Sequence, residues 1–154
     1  MLKKTFLLLV ILFVSSCGYK AIHSKKNVID YDFSISKLNF IGNRDVNLKI
    51  KEKLNNYTLN KKNRDFELEV SSFVKKEVLA KNISGDPTSF KSTITINVKV
   101  LRENNFKNNL QIIEYFNYNN NSNKFDLEKY EREIRNNLAE TATDKLIFKL
   151  SNIQ

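Results

Sequence analysis

Few residues in this chain could do covalent chemistry. Cys17 is the only cysteine and His23 is the only histidine among 154 residues. A thiol that ligates a metal or acts as a catalytic nucleophile needs histidine, carboxylate or further cysteine partners. The sequence has neither metal-ligand spacing nor a glycine-rich phosphate loop. We therefore expect no catalytic residue, no metal site and no cofactor, and the role of Cys17 must be judged from the residues before it.

The residues before Cys17 are arranged as in a secretory signal peptide. Lys3-Lys4 precede an apolar run, Phe6–Val14, and two serines follow that run. The run is too short to cross a bilayer as a helix, which needs about 20 residues. The tetrapeptide Val14–Cys17 resembles the lipobox of bacterial lipoproteins, which implies that the Cys17 thiol is diacylated and that Cys17 becomes the new N-terminus. The alternative is an ordinary signal peptide with an incidental cysteine.

These motifs divide the chain into three predicted parts. Residues 1–16 are a lipoprotein signal peptide, residues 17–30 are a lipidated tether, and residues 31–154 are a single α+β domain. The chain is 41% hydrophobic and carries a formal net charge of +9. Behind a secretion signal, a basic surface favours anionic or phosphorylated lipid, rather than nucleic acid, as the acidic partner.

The first half of the domain is predicted to form a strand and a helix. Residues Phe33–Ile41 are rich in apolar side chains, and their alternation changes phase at Lys37, which indicates a β-bulge or burial on both faces. Asn43 has the chemistry of a helix N-cap. Apolar residues at helical spacing then predict an amphipathic helix. These residues are Val46, Ile50, Leu54 and Tyr57.

The second half is predicted to form three strands and a long helix. Alternating apolar residues predict strands over Phe66–Ala80, Phe90–Val100 and Leu110–Tyr118. Gly85–Thr88 supplies turn residues, so the first two strands should form an antiparallel hairpin whose tip extends beyond the core. The final helix is predicted from residue 126 to about residue 150. Its expected features are Asp126 as N-cap, Phe125 as hydrophobic staple, and a buried stripe of Leu127, Tyr130, Ile134, Leu138 and Ala142.

The order strand, helix, three strands, helix predicts the α+β class. We expect a two-layer sandwich in which a three-strand antiparallel meander and the first strand form one sheet, with both helices on one face. The other face would be partly open. Off-phase apolar residues on adjacent strands predict a partner surface there, although scattered surface apolars are common. The residues are Phe73, Leu79, Leu101, Ile113 and Tyr115.

The lipobox, the sequence Cys17-Gly18-Tyr19 and this order of elements resemble the LPS-assembly lipoprotein (LptE) family. Further similarity lies in Asn117–Asn120, in Asn123–Leu127 and in the helix that follows. The resemblance implies a non-enzymatic lipoprotein, lipid-anchored to the periplasmic side of the outer membrane. It also implies that the protein plugs and helps assemble the β-barrel that inserts lipopolysaccharide into the outer leaflet, and that it binds lipopolysaccharide. Gly18 is compatible with outer-membrane sorting.

No motif in this chain aligns with the lipopolysaccharide-contacting basic residues of that family. The chemistry of lysine suggests separate candidates for phosphate binding on the hairpin, because ammonium groups can pair with the phosphates of lipid A. A solvated charged rim that keeps the hairpin soluble is the favoured alternative. The candidates are Lys75, Lys76, Lys81 and Lys91.

Two other functions fit parts of the sequence. An auxiliary lipoprotein of an ABC-type lipid transport system would share the anchor, the size and the α+β character. A basic nucleic-acid-binding module would need a cytosolic, uncleaved N-terminus, and the chain lacks arginine-rich and repeated aromatic signatures. The partners that the resemblance implies are an outer-membrane β-barrel, lipopolysaccharide and the membrane, and nucleic acid is not expected.

Overall fold

The computed structural model describes residues 31–103 and 105–153. The predicted signal peptide, the tether, Cys17 and His23 lie outside the described residues. The elements, in chain order, are strand β1 (Ser34–Gly42), helix α1 (Arg44–Leu54), a 3₁₀ turn (Asn55–Tyr57), strands β2 (Asp65–Lys81), β3 (Pro87–Arg102) and β4 (Asn105–Asn119), and helix α2 (Lys124–Ser151). This order confirms the predicted α+β class.

The four strands form one mixed sheet in the order β1-β2-β3-β4. The chain returns through α1 between β1 and β2, so these two strands are parallel, whereas β2, β3 and β4 form an antiparallel meander. The pairing of β1 with β2 shifts register between Ile35 and Lys37. This irregularity brings Ile35 and Leu38 opposite Phe66 and Leu68, and it confirms the predicted bulge.

The core lies between the sheet and the two helices. Alternate residues of the strands are buried, as are Val46, Ile50 and Leu54 of α1. Phe33 stacks on Tyr57 with 4.6 Å between ring centroids, which closes one end of the core. The buried apolar residues of the strands are Ile35, Phe66, Leu68, Val70, Phe90, Ile94, Ile96, Val98, Val100, Ile112 and Tyr118.

The turn between β1 and α1 depends on a glycine and an asparagine. Gly42 has a φ of 100°. A Cβ atom at this position would lie 2.0 Å from the backbone oxygen of Ser72, so no other residue fits without moving β2. The side chain of Asn43 accepts a hydrogen bond of 3.1 Å from the backbone N–H of Val46, which confirms the predicted N-cap.

The start of α2 differs from the prediction. The N-cap is Asn123, whose side chain accepts hydrogen bonds from the N–H groups of Phe125 and Asp126, whereas Asp126 lies inside the first turn. Phe125 is 73% exposed and staples nothing. Both assignments were wrong because asparagine caps a helix as well as aspartate does. Asn123 takes the cap position three residues earlier, and Asp126 then lies in the first turn, where its negative charge is also favourable.

The buried stripe of α2 is also displaced toward its C-terminal end. Ile134, Leu138 and Ala142 are buried as predicted, but Tyr130 is 44% exposed and Leu127 is only half-buried. The stripe continues instead along the last three turns of the helix. Its further members are Ala139, Thr143, Leu146, Ile147 and Leu150.

The β2–β3 hairpin extends beyond the helices. Val78, in phase with the core residues of β2, is 46% exposed although it pairs with the buried Phe90. The hairpin tip, residues 82–86, is closed by hydrogen bonds from the Asn82 N–H to the Asp86 carbonyl (2.9 Å) and from the Asp86 N–H to the Asn82 side chain (2.8 Å). The tip is therefore a hydrogen-bonded turn. It projects beyond the core, as the length of the strands predicted.

Strand β4 begins at Asn105, earlier than the predicted Leu110. Its first residues pair with the end of β3 as far as Arg102. Pairing with a neighbouring strand overrides the turn preference of the asparagine-rich sequence here. No helix in residues 31–103 or 105–153 is long and apolar enough to span a membrane.

Candidate partner-binding face

The open face is the side of the sheet that points away from α1 and α2. Side chains that alternate with the core residues project from it. Four of the five predicted apolar residues are well exposed there, between 49% and 60%, whereas Leu101 is half-buried. The exposed four are Phe73, Leu79, Ile113 and Tyr115.

Strand register decides which of these residues meet. Phe73 pairs with Thr95, which pairs with Ile113, so the three lie in one row across the sheet. Tyr115 lies in the next row, opposite Thr93. Phe73 therefore lies on one side of Thr93 and Thr95, and Ile113 and Tyr115 lie on the other side. These three exposed apolar side chains are called here the distal patch.

Leu101 does not belong to the distal patch. It pairs with Phe106, which is 56% exposed, at the opposite end of the open face. Six residues of β3 separate Leu101 from Thr95 in the Phe73 row, a distance of about 20 Å. Leu101 is therefore separate from the distal patch, and periodicity alone could not place the off-phase apolar residues relative to one another.

The floor of the distal patch contains an unsatisfied polar atom. The hydroxyl oxygen of Thr93 is buried and has no hydrogen-bond partner within residues 31–103 and 105–153. Beside it, the Lys91 ammonium lies 4.4 Å from the centroid of the Tyr115 ring. The distal patch therefore combines apolar surface, a cation and an unused hydroxyl group.

A concave region of about 750 Å³, lined by both polar and apolar residues, occupies the middle of the open face. The side-chain amide of Gln111 donates a hydrogen bond of 2.9 Å to Asn97 in this region. This region was not predicted, although the amides at off-phase positions 97, 109 and 111 were a usable signal in the sequence. Its amide residues are Asn39, Asn97, Asn109 and Gln111.

Two of the four candidate lysines lie together on the open face. The Lys75 ammonium pairs with Glu77 at 2.9 Å, and Glu77 lies opposite Lys91 on β3. The hydrogen bond and charge of Lys75, with a smaller contribution from Lys91, lower the pKa of the Glu77 carboxyl group. Lys75 and Lys91 are thus two cations that share one anion.

The other two candidate lysines lie elsewhere. Lys76 points to the helix side of the sheet, where it pairs with Glu131 of α2 and lies 4.0 Å from the centroid of the Phe90 ring. Lys81 is exposed at the base of the hairpin tip. The structure therefore brings Lys75 and Lys91 together, and it places Lys76 on the opposite face and Lys81 nearer the tip.

Glu131 is shared by two donors at the distal end of the core. The Tyr118 hydroxyl group donates a hydrogen bond of 2.8 Å to the same Glu131 oxygen that pairs with Lys76. Burial of the Tyr118 side chain, and its bond to the Glu131 carboxylate, raise the pKa of the phenol above its ordinary value of 10.0.

This raised pKa predicts an alkaline loss of stability. The folded state holds the phenol proton more tightly than the unfolded state, so the contribution of Tyr118 is present below pH 10 and is lost as the pH rises above it. In a Tyr118→Phe variant, the free energy of unfolding should fall less steeply with pH above this value. Denaturant titrations at matched pH values test this. Identical slopes for variant and wild type would contradict it.

No cluster of three or more histidine, cysteine, aspartate or glutamate side chains that could hold a metal is present in the described part of the chain. The features of the open face suit binding to a partner: exposed apolar residues, neutral amides and paired charges.

The sequence matches no known family model and no curated protein sequence. Solved structures of bacterial lipoproteins share the fold. A minor lipoprotein from Acinetobacter baumannii superimposes with a TM-score of 0.60 at 13% identity, covering 79% of this chain and 92% of the other. Rare lipoprotein B from Shewanella oneidensis gives a TM-score of 0.55 at 12% identity, covering 75% and 97%. A putative lipoprotein from Caulobacter crescentus gives 0.54 at 10% identity, covering 75% and 88%.

These similarities extend over most of each chain. The architecture of this domain is therefore one that bacterial lipoproteins adopt.

Proposed function

We propose that this protein is an outer-membrane lipoprotein that plugs and helps assemble the β-barrel translocon for lipopolysaccharide and assists lipopolysaccharide insertion into the outer leaflet. The observation that carries the proposal is the combination of Cys17 in a lipobox-like tetrapeptide with a domain whose fold is that of solved lipoproteins. The resemblance to the LPS-assembly lipoprotein family supplies the barrel and the lipopolysaccharide.

The open face has the composition expected of a surface that meets the inside of a barrel. Barrel interiors are polar and rich in charged groups. The amides of the central concave region and the lysines around the distal patch would contact such groups, since complementary charge guides association. The exposed rings of Phe73 and Tyr115 would add apolar contact area. The hairpin tip would enter the lumen first.

Lipopolysaccharide phosphates would meet Lys75 and Lys81, which are exposed, and Lys91, which is half-buried. Lys76 is a weaker candidate than the sequence predicted, because it points to the helix side of the sheet, away from the other lysines, and pairs there with Glu131. A phosphate that recruited Lys76 would have to break this pair. In this proposal the protein acts through binding and has no catalytic role.

Co-purification from membranes tests the proposal. The tagged protein should retain a large β-barrel protein after detergent extraction, because the plug and the barrel are expected to form a stable complex. Retention of an inner-membrane ABC transporter, without a barrel, would favour the auxiliary-subunit function and overturn the proposal. Retention of nucleic acid alone would also overturn it.

A further inference from the structure

The end of the sheet opposite the hairpin tip is called here the proximal end. The proximal end comprises residues 31–34, 57–65, 101–107 and 149–153, of which residue 104 is not described. Hydrogen bonds hold these segments together. Arg64 donates from its guanidinium group to the carbonyl oxygens of Asp32 (2.8 Å), Ser151 (2.8 Å) and Ile153 (3.1 Å), and Arg102 donates to the Asn63 carbonyl at 3.3 Å.

The proximal end is basic. Its described residues include six cationic side chains and three anionic ones. The cations are Lys61, Lys62, Arg64, Arg102, Lys107 and Lys149, and the anions are Asp32, Asp65 and Glu103. Two of the cations, Lys61 and Lys107, are exposed and form no ion pair with a described residue.

Exposed apolar side chains stand close to these two lysines in the sequence. Leu59 is 69% exposed and lies two residues before Lys61, and Phe106 is 56% exposed and immediately precedes Lys107. An apolar side chain beside a lysine suits a membrane interface, because the apolar group enters the headgroup region while the ammonium group binds lipid phosphate.

The domain begins at the proximal end, only a short stretch of chain after the predicted lipid anchor at Cys17, so this end can reach a membrane. Tyr31 is the first described residue and belongs to this end. The chain between Cys17 and Tyr31 can bridge at most about 50 Å in any conformation, because each residue spans no more than about 3.6 Å. A lipid on Cys17 would therefore keep the basic end within about 50 Å of the leaflet that holds the anchor, so that this end can reach the headgroups.

We propose that the proximal end docks onto anionic phospholipid headgroups through Lys61 and Lys107, with Leu59 and Phe106 at the interface. This inference rests on the anchor at Cys17 in the proposed function, but not on the barrel. It would orient the domain with the hairpin tip directed away from that leaflet. Each lysine near an anionic surface contributes about 1 kcal/mol, which corresponds to about a fivefold change in the docked population.

The test uses the full-length lipoprotein, purified from membranes and reconstituted into vesicles. Because an acylated Cys17 leaves no other thiol, a cysteine introduced by Asn60→Cys or Ser84→Cys would carry the only reactive fluorophore. These positions report on the proximal end and the hairpin tip, respectively. Vesicles contain either phosphatidylcholine alone or phosphatidylcholine with phosphatidylglycerol, each with a headgroup-attached quencher.

Phosphatidylglycerol should increase quenching at position 60 and leave position 84 unchanged, and added salt should reverse the increase. The ratio of docked to undocked protein should fall by more than about fivefold for each lysine reversed in a Lys61→Glu/Lys107→Glu variant, because the attraction of the lysine is lost and the glutamate is repelled by the anionic surface. A Lys51→Glu/Lys129→Glu variant changes the net charge equally at exposed positions of α1 and α2 and should behave as wild type.

Equal quenching at position 60 in both vesicle types, or an equal loss in the Lys51→Glu/Lys129→Glu variant, would overturn the inference. So would capture of the proximal end by an acidic protein surface instead of lipid in native membranes.

Failure of the docking proposal can be distinguished from failure of the proposed function. Absence of acyl mass at Cys17 would overturn the anchor, and salt-dependent docking of a Cys17→Ser form, in which the introduced cysteine is again the only thiol, would still support the docking. An acylated protein that does not dock would overturn the docking alone.

Discussion

A Leu138→Ala variant is expected to lose about 2–5 kcal/mol of the free energy of unfolding, which is a large fraction of the stability of a small domain. Leu138 is 8% exposed and lies in the buried stripe of α2. Truncation would leave a cavity between the helix and the sheet, because neighbouring strands are held by their hydrogen bonds and cannot collapse into the space. Denaturant titration gives the change in unfolding free energy.

Phe148 provides the matched control on the same helix, because its side chain is 59% exposed. Phe148→Ala removes more atoms than Leu138→Ala but should change the unfolding free energy by less than about 0.5 kcal/mol, as is usual for surface positions. A cost below about 1 kcal/mol for Leu138→Ala, or an equal cost for the two variants, would contradict the packing of α2.

A Cys17→Ser variant is expected to leave the membrane fraction and to lose acyl labelling. A hydroxyl group replaces the thiol that would carry the lipid, and each buried methylene of an acyl chain contributes about 0.8 kcal/mol to membrane binding. Two chains hold a protein on the membrane far more strongly than one, so the loss should be nearly complete. Fractionation, together with the mass of the mature N-terminal peptide, measures both effects.

A Gly18→Ala variant, which keeps the thiol, should remain acylated and serves as the control. An unmodified Cys17 in the wild-type protein would show that the lipobox-like tetrapeptide is incidental. Outer-membrane placement would then lose its main support.

The sheet and the helices were largely predictable because the core is periodic. The alternation of Phe66, Leu68 and Val70 specifies a strand with one buried face, and the phase change near Lys37 indicated the bulge in β1. The start of α2 was less predictable. Asn123 and Asp126 both suit a helix N-terminus, and only the hydrogen bonds from the first-turn N–H groups distinguish them.

The candidate site was predictable only in part, for a geometric reason. The sequence shows which side chains of a strand point away from the core, but strand register decides which of them become neighbours. Register places Phe73 and Ile113 in one row, on either side of Thr95, and places Leu101 at the other end of the sheet. Register also brings Lys75 and Lys91 close together on the open face. The alternation of side chains along β2 places Lys76 on the helix side of the sheet, where it pairs with Glu131.

Photo-crosslinking in living cells tests the central claim most directly. A photoreactive residue replaces Phe73, Lys81 or Lys91, which samples the distal patch and the base of the hairpin tip, and the same replacements in the Cys17→Ser background provide the control. With the anchor present, these positions should capture a large outer-membrane β-barrel protein, and those at the lysines should also capture lipopolysaccharide. Crosslinks only to an inner-membrane transporter, with none to a barrel, would contradict the account.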